Sequence, residues 1–154
     1  MRPIGINGFG RIGKCIFLIL LQHNDFYVSA INAPDFNIYT IEKYLKNDTV
    51  HKYNKDFTLE VIDNDNFKIN GHVVHVFRDR NPDNISWIDY NIEILVDATG
   101  AFLTQDKIKR HNTRYTVMTA PPKDNTPMFV YGANHKNYNG ENHISNNSLC
   151  MMRY

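Results

Sequence analysis

The residues with the clearest chemical potential lie near the start of the chain, at Gly8-Phe9-Gly10-Arg11-Ile12-Gly13. The GxGxxG spacing is typical of a loop that binds the pyrophosphate of a dinucleotide. Its first glycine permits a tight turn, its second lets backbone approach the phosphates, and its third lets the helix pack close to the strand. Backbone N–H groups at the helix start then point at the anion. The alternative is a glycine turn that serves packing alone.

The segments beside this glycine loop favour dinucleotide binding. Arg2 to Asn7 is a predicted strand, and Phe26 to Asn32 (FYVSAIN) is a second one. Between them, Arg11 to about His23 is a predicted helix that is apolar on nearly every face, which indicates burial against a sheet and a further surface. Strand, glycine loop, helix and strand form the context in which the motif binds a dinucleotide.

The end of the second predicted strand leaves the choice between NAD and NADP open. An acidic residue is expected there to bind the ribose 2′-hydroxyl, but the chain has Asn32-Ala33-Pro34-Asp35. Asn32 can bind a ribose hydroxyl, yet it lacks the charge that repels a 2′-phosphate. Asp35 either compensates or starts a turn, and its place after Pro34 favours the turn.

Further along, strands and helices alternate with one interruption. We predict a helix from Thr40 to about Asn47, with Thr40 as its N-cap. Residues 57–77 predict paired strands around an Asn70-Gly71 hairpin turn. The predicted strands after them are Ile92 to Val96, Tyr115 to Thr119 and, last, Met128 to Tyr131, with a short helix before His111. The pattern indicates one α/β domain over residues 1–154, with a mostly parallel, doubly wound sheet and an inserted antiparallel hairpin.

Composition excludes several classes of function. The formal charge of +1 provides no general attraction for nucleic acid or membrane. The apolar run from Cys15 to Leu21 is much shorter than the ~20 residues of a membrane span. Cys15 and Cys150 fit no metal-ligand spacing, which suggests reduced thiols and a cytoplasmic protein.

The histidines are poor candidates for a metal site or a catalytic base. His72 and His75 are an odd number of residues apart on a predicted strand, so they point to opposite faces. His135 and His143 are expected on surface loops.

In-order motifs along nearly the whole chain resemble glyceraldehyde-3-phosphate dehydrogenases. They are Asn7 to Gly13 (NGFGRIG), Lys46 to His51 (KNDTVH), Arg80-Asn81-Pro82 with Trp87, Ala98 to Phe102 (ATGAF), Thr119-Ala120-Pro121, and Phe129 to Asn134 (FVYGAN). The resemblance implies a Rossmann-type NAD-binding unit, with NADP not excluded. The residues it assigns to the cofactor are Asn7, Gly8, Phe9, Gly10, Arg11, Ile12, Asn32, Arg80, Thr99, Gly100 and Thr119. Among these, Arg80 meets the adenine side, Thr99 and Gly100 line the channel, and Thr119 lies near the nicotinamide.

The resemblance also implies a nucleophilic cysteine, but the alignment there has two registers. Matching Ser145, Asn146 and Ser148 places Leu149 at the nucleophile, whereas counting from Tyr138 places Cys150 there. In the second register, Leu149 and Met151 replace hydroxyl residues that serve phosphate. The family's base histidine and its catalytic domain lie further along than this sequence extends, so we expect an incomplete chain and improbable turnover by the chain alone.

Three functions therefore compete at this stage. The chain is the cofactor-binding part of an oxidoreductase of glycolysis, or a non-catalytic module that holds a dinucleotide or caps a full-length family subunit, or a decayed gene product. The exposed apolar surface expected on the first helix predicts self-association with a second copy.

Overall fold

The computed structural model describes residues 1–46 and 57–146, which form a nine-stranded sheet with short helices. The strands are β1 (Arg2–Asn7), β2 (Phe26–Asn32), β3 (Leu59–Val61), β4 (Asn66–Ile69), β5 (His72–Phe77), β6 (Ile94–Asp97), β7 (Tyr115–Met118), β8 (Met128–Phe129) and β9 (His143–Asn146). Their order across the sheet is β3-β4-β5-β2-β1-β6-β7-β9-β8. All neighbours are parallel except the β3–β4 and β4–β5 pairs. The predicted Rossmann-type, mostly parallel sheet with an antiparallel insertion is confirmed.

Strand β1 lies near the middle of the sheet, and the chain adds strands on both sides of it. β2 pairs with one edge of β1, and β6 pairs with the other, with Asn7 opposite Asp97. Where the direction of strand addition reverses in a parallel sheet, a crevice opens at the carboxyl ends of the strands. The topology therefore places the glycine loop, which follows β1, at the edge of such a crevice.

In the part of the chain that the structure describes, three α-helices connect these strands: α1 (Arg11–Leu20), α2 (Ile38–Lys46) and α3 (Gln105–Ile108). Helix α1 buries Phe17 and Leu18, while Ile12 and Ile19 on its outer side are 38% and 40% exposed. Helix α2 begins earlier than predicted. The side chain of Asn37 accepts a hydrogen bond from the Thr40 N–H at 2.8 Å, so Asn37, and not Thr40, caps this helix.

The two faces of the sheet carry separate apolar clusters. One contains Ile6, Phe17 and residues of α2, and the other is centred on Trp87, in a 3-10 turn at Trp87–Tyr90. Gly5 of β1 faces the second cluster, where a Cβ atom would lie 3.0 Å from the Trp87 ring. Burial of both faces explains why the central parallel strands β1, β2 and β6 are largely apolar.

The hairpin insertion has the predicted turn. Asn70 and Gly71 have φ angles of 47° and 86°, so both are left-handed, as a two-residue turn of this kind requires. β3, β4 and β5 form a meander, and β5 also pairs in parallel with β2.

The end of the described chain differs from the prediction. β8 covers only Met128–Phe129, and an unpredicted strand, β9, follows and lies between β7 and β8. His143 therefore lies on a strand and is half-buried, not on a surface loop. Ser145 is fully buried in β9, where its hydroxyl donates to the Ala120 carbonyl at 2.7 Å.

Candidate functional site

A crevice of about 390 Å³ lies at the carboxyl ends of β1, β2, β5 and β6. Residues from all four strand ends line it, which is the position expected for a ligand site in a parallel sheet. The predicted cofactor residues among its lining are Asn7, Gly8, Phe9, Gly10, Asn32, Arg80 and Thr99. Arg11 and Ile12 lie just outside this lining at the start of α1, and Gly100 and Thr119 follow β6 and β7 at the same edge of the sheet.

Two of the three loop glycines, Gly8 and Gly13, are required by the geometry of the protein itself. Gly8 has a φ angle of 92°, and a Cβ atom there would lie 2.8 Å from the Thr99 methyl group. A Cβ on Gly13 would lie 2.0 Å from the Gly8 carbonyl oxygen, so the helix can approach the strand only with glycine there. Gly10 is exposed and a Cβ would meet no atom within 4 Å. The open side of Gly10 is where an anion could approach the backbone.

No acidic side chain at the cap or in the first turn of α1 offsets the positive potential at its N-terminus. Gly10 is the N-cap and provides no capping side chain, and the first turn contains no acidic residue. The first intrahelical hydrogen bond runs from the Lys14 N–H to the Gly10 carbonyl, at 2.9 Å. The preceding N–H groups of the first turn are the ones that helix geometry leaves for a ligand.

A buried polar network holds the strand ends in place below the loop. The Asn7 amide donates to Asp97 at 2.7 Å, and the Asn32 amide donates to the Asn7 side-chain oxygen at 2.8 Å. All three residues are at most 4% exposed. Such buried groups are costly unless they are hydrogen-bonded, so the network fixes the relative positions of β1, β2 and β6.

The Asn32 side chain is occupied by this network. Besides its bond to Asn7, its amide donates to the Asp79 carbonyl at 2.8 Å, and its oxygen accepts from the Asp79 N–H at 3.2 Å. Both N–H groups that could bond a ribose oxygen are therefore engaged within the protein.

Thr99, Gly100 and Thr119 extend the crevice edge from β6 to β7. The Thr99 hydroxyl donates to Asp97 at 2.8 Å and accepts from the Ala101 N–H at 3.1 Å. Gly100 has a φ angle of 67° and is exposed. The Thr119 N–H donates to the Asp97 carbonyl at 2.9 Å.

The mouth of the crevice is charged. Arg80 and Asp35 line it and form an ion pair at 2.5 Å, and Asp79 also contributes to the lining. Hydrogen bonds from the Asn81 N–H and the Asn84 amide lower the pKa of Asp79 below its usual range, so this carboxylate stays ionised.

Sequence reasoning missed Asp79, Asp97 and His111. His111 is 1% exposed and lies 3.5 Å from Asp97, and its Nδ1 has no hydrogen-bond partner among the described residues. A signal for Asp97 was present, because a carboxylate directly follows the apolar run IEILV at a strand end. No comparable signal marks His111, which stands in a basic run typical of a wet helix face.

Among the residues that the structure describes, the crevice lining holds neither cysteine nor histidine. Cys150 and the flanking residues of both alignment registers lie outside the described residues, as does most of the Lys46 to His51 motif. Within the described part of the chain, no group of His, Cys, Asp and Glu is placed to hold a metal ion, and no helix has the length and apolarity to cross a membrane.

Comparison with known proteins agrees with this geometry. The family model described as "Glyceraldehyde 3-phosphate dehydrogenase, NAD binding domain" matches residues 2–105. The chain belongs to this family. The cofactor of the matched domain is NAD.

Glyceraldehyde-3-phosphate dehydrogenases also match beyond residue 105. The cytosolic enzyme of Leishmania mexicana is 40% identical over 154 residues, which is 96% of this chain and 45% of that protein. Glyceraldehyde-3-phosphate dehydrogenase A of Escherichia coli K12 is 40% identical over 94% of this chain and 44% of its own length. The corresponding protein of Salmonella typhimurium LT2 is 38% identical over the same shares. The chain thus spans somewhat less than half the length of these relatives.

Proposed function

We propose that residues 1–154 act as a dinucleotide-holding unit of a glyceraldehyde-3-phosphate dehydrogenase and bind NAD in the crevice at the end of β1. The observation that carries the proposal is the geometry of the glycine loop at the uncapped start of α1. Gly10 leaves open space beside the helix N-terminus, where backbone N–H groups favour a diphosphate.

The remaining assigned residues take positions that fit an extended dinucleotide. Arg80 serves the adenosine end near β2 and β5, Thr99 and Gly100 line the channel, and Thr119 serves the nicotinamide end near β7. Asn7 and Asn32 act by holding the strand ends below the loop, because their amides are engaged with protein groups.

Gly10→Ala tests the pyrophosphate site directly. The Gly10 φ angle of −77° suits alanine and the new methyl group meets no atom, so the variant should unfold at the wild-type temperature. The methyl group would occupy the path of the phosphates, and we expect NAD affinity to fall about tenfold or more in titration calorimetry, equivalent to about 1.4 kcal/mol. Wild-type affinity in this variant, or no NAD binding by the wild-type chain, would refute the proposal.

We further propose that this chain by itself binds the cofactor without turnover. The support is that residues 1–154 match somewhat less than half the length of the related dehydrogenases. In the register counted from Tyr138, Cys150 is the proposed nucleophile of the family reaction, oxidation of glyceraldehyde 3-phosphate with phosphate as co-substrate. An assay with that aldehyde, phosphate and NAD separates the alternatives, since NADH formation that Cys150→Ser abolishes would establish an active enzyme.

For location and partners, we propose the cytoplasm and a second copy or a full-length family subunit. The exposed Ile12 and Ile19 lie two turns apart on the same side of α1 and supply apolar surface for such contact. Elution of the chain as a monomer in size-exclusion chromatography, at the concentrations used for calorimetry, would contradict self-association.

A further inference from the structure

An ion pair stands at the adenosine end of the crevice, where two neighbouring strands finish together. Asn32 ends β2 and pairs with Phe77, which ends β5. Asp35 and Arg80 each follow three residues later, and the Arg80 guanidinium donates to Asp35 Oδ1 at 2.5 Å. Both side chains line the crevice and are mostly exposed, at 68% for Asp35 and 76% for Arg80. They are thus available to a ligand.

The residues at the end of β2, Asn32 and Ala33, are unsuited to binding a ribose hydroxyl. Both amide N–H groups of Asn32 donate within the protein. Ala33 is 1% exposed and has no polar side-chain atom. In contrast, within the described residues Asp35 Oδ2 has no hydrogen-bond partner, because Arg80 contacts only Oδ1. Asp35 therefore offers the acceptor that a ribose hydroxyl needs.

We propose that Asp35, oriented by Arg80, binds the adenosine ribose and makes the crevice select NAD over NADP. This proposal rests on cofactor binding in the crevice. Asp35 Oδ2 accepts the hydrogen bond of the 2′-hydroxyl, as an acid at this place does in nucleotide-binding sheets. Arg80 holds the carboxylate at the rim and is itself neutralised by it.

The local charges act against a 2′-phosphate. Asp35 and Asp79 line the mouth together with one cation, Arg80, so the mouth carries a net negative charge. The lowered pKa of Asp79 keeps its carboxylate charged. A phosphate of about two negative charges would meet this field and would compete with Asp35 for the guanidinium.

Removal of the Asp35 charge should reverse the preference. In Asp35→Asn, we expect NAD affinity to fall about three- to tenfold because a charged acceptor is lost. NADP affinity should rise by about the same factor because the freed Arg80 can bind the 2′-phosphate. Arg80→Gln added to this variant should abolish the gain for NADP. The gain should also shrink between about 0.1 M and about 1 M salt, since exposed charges are screened.

The control is a matched ion pair outside the crevice. Asp83 and Arg110 are also 2.5 Å apart and about half exposed, but do not belong to the crevice lining. Asp83→Asn should leave the dissociation constants of NAD and NADP, measured by calorimetry, at their wild-type values. An NAD-to-NADP affinity ratio in Asp35→Asn within about twofold of wild type, with NAD still bound, would overturn this inference and leave the proposed function intact. Binding of neither nucleotide by the wild-type chain would overturn both.

Discussion

At the scale of single residues, the site depends on polar groups that the protein uses internally. Asn7, Asn32 and Asp97 are buried at the ends of three adjacent strands and satisfy one another. A buried donor or acceptor without a partner costs about 1–3 kcal/mol, so each member of this network depends on the chemistry of the next. We therefore assign to the network the role of positioning the glycine loop, and not that of contacting the ligand.

Asn32→Asp should therefore destabilise this chain, although an acidic residue is what a nucleotide-binding sheet usually carries near the end of this strand. The carboxylate cannot donate to the Asn7 side-chain oxygen or to the Asp79 carbonyl, and it would bring a negative charge against both. We expect a loss of about 3 kcal/mol in the free energy of unfolding, measured with urea at pH 7.

Asn81→Asp is the matched control for that substitution. Asn81 is exposed, and the hydrogen bonds of its side chain are ones in which its oxygen accepts, from the Asp83 N–H and from Arg110. A carboxylate can accept the same two hydrogen bonds. The same chemical change should alter stability there by less than about 0.5 kcal/mol. Equal stability of the two variants would mean that the Asn32 amide is not a required donor.

The glycine loop and the role of Asn32 mark the limits of prediction from sequence at this scale. Gly8, Gly10 and Gly13 are recognisable because their spacing is a local sequence pattern, although the Thr99 methyl group that excludes a Cβ on Gly8 is distant in the chain. The partners of Asn32 are 25 and 47 residues away, so its engagement was not visible in the sequence. Asp35 lies in the predicted turn, where the Phe36 N–H donates to the Ala33 carbonyl at 3.1 Å. Its contact with Arg80 spans 45 residues and was for the same reason not visible in the sequence.

At the scale of elements, local signals again decided what could be predicted. The hairpin between β4 and β5 was predictable because Asn70-Gly71 specifies its own turn. Strand β9 was not, because its sequence, His-Ile-Ser-Asn, lacks an apolar alternation. Its conformation depends on hydrogen bonds to β7 and β8, and such tertiary pairing overrides weak strand propensity.

Gly71→Ala tests how far the turn backbone stabilises the meander. Gly71 has a φ angle of 86° and a Cβ there would meet no atom within 4 Å, so only backbone strain opposes alanine. We expect a loss of about 1–2 kcal/mol in urea unfolding, the cost of a left-handed non-glycine residue. NAD affinity should not change, because the turn is remote from the crevice lining.

Gly10→Ala completes this comparison, since its φ angle of −77° carries no such strain. It should keep stability and lose affinity, whereas Gly71→Ala should lose stability and keep affinity. If both variants were equally destabilised, the cost at residue 71 would not come from its left-handed backbone.

At the scale of the whole molecule, two histidines on opposite sides of β1 in the sheet order couple folding to pH. His75 lies on β5, and His143 on β9. Burial disfavours the charged imidazolium and lowers the pKa of both, and Lys109 lowers that of His143 further. The His75 ring stacks on Tyr90 at 4.6 Å, and Asp65 and Asp63 raise its pKa without reversing the lowering by burial. Within the described residues, the buried His143 Nδ1 has no hydrogen-bond partner.

The free energy of unfolding should therefore fall as the pH is lowered from about 7.5 to about 5.5. A histidine in the unfolded chain titrates near pH 6.5, above the pKa of either residue in the folded chain. Below that pH, the two histidines take up protons in the unfolded state but not in the folded state. The free energy of unfolding that they contribute above the unfolded pKa is therefore lost as the pH falls toward their pKa values in the folded chain. The carboxyl groups of Asp63, Asp79, Asp83 and Asp124 add nothing in this window, because hydrogen bonds lower their pKa values further below it. The measurement is urea unfolding at both pH values for the wild type, His75→Gln, His143→Gln and the double variant. The double variant should show the smallest difference in the free energy of unfolding between the two pH values. A double variant that retains the full wild-type difference would assign the pH dependence to other groups.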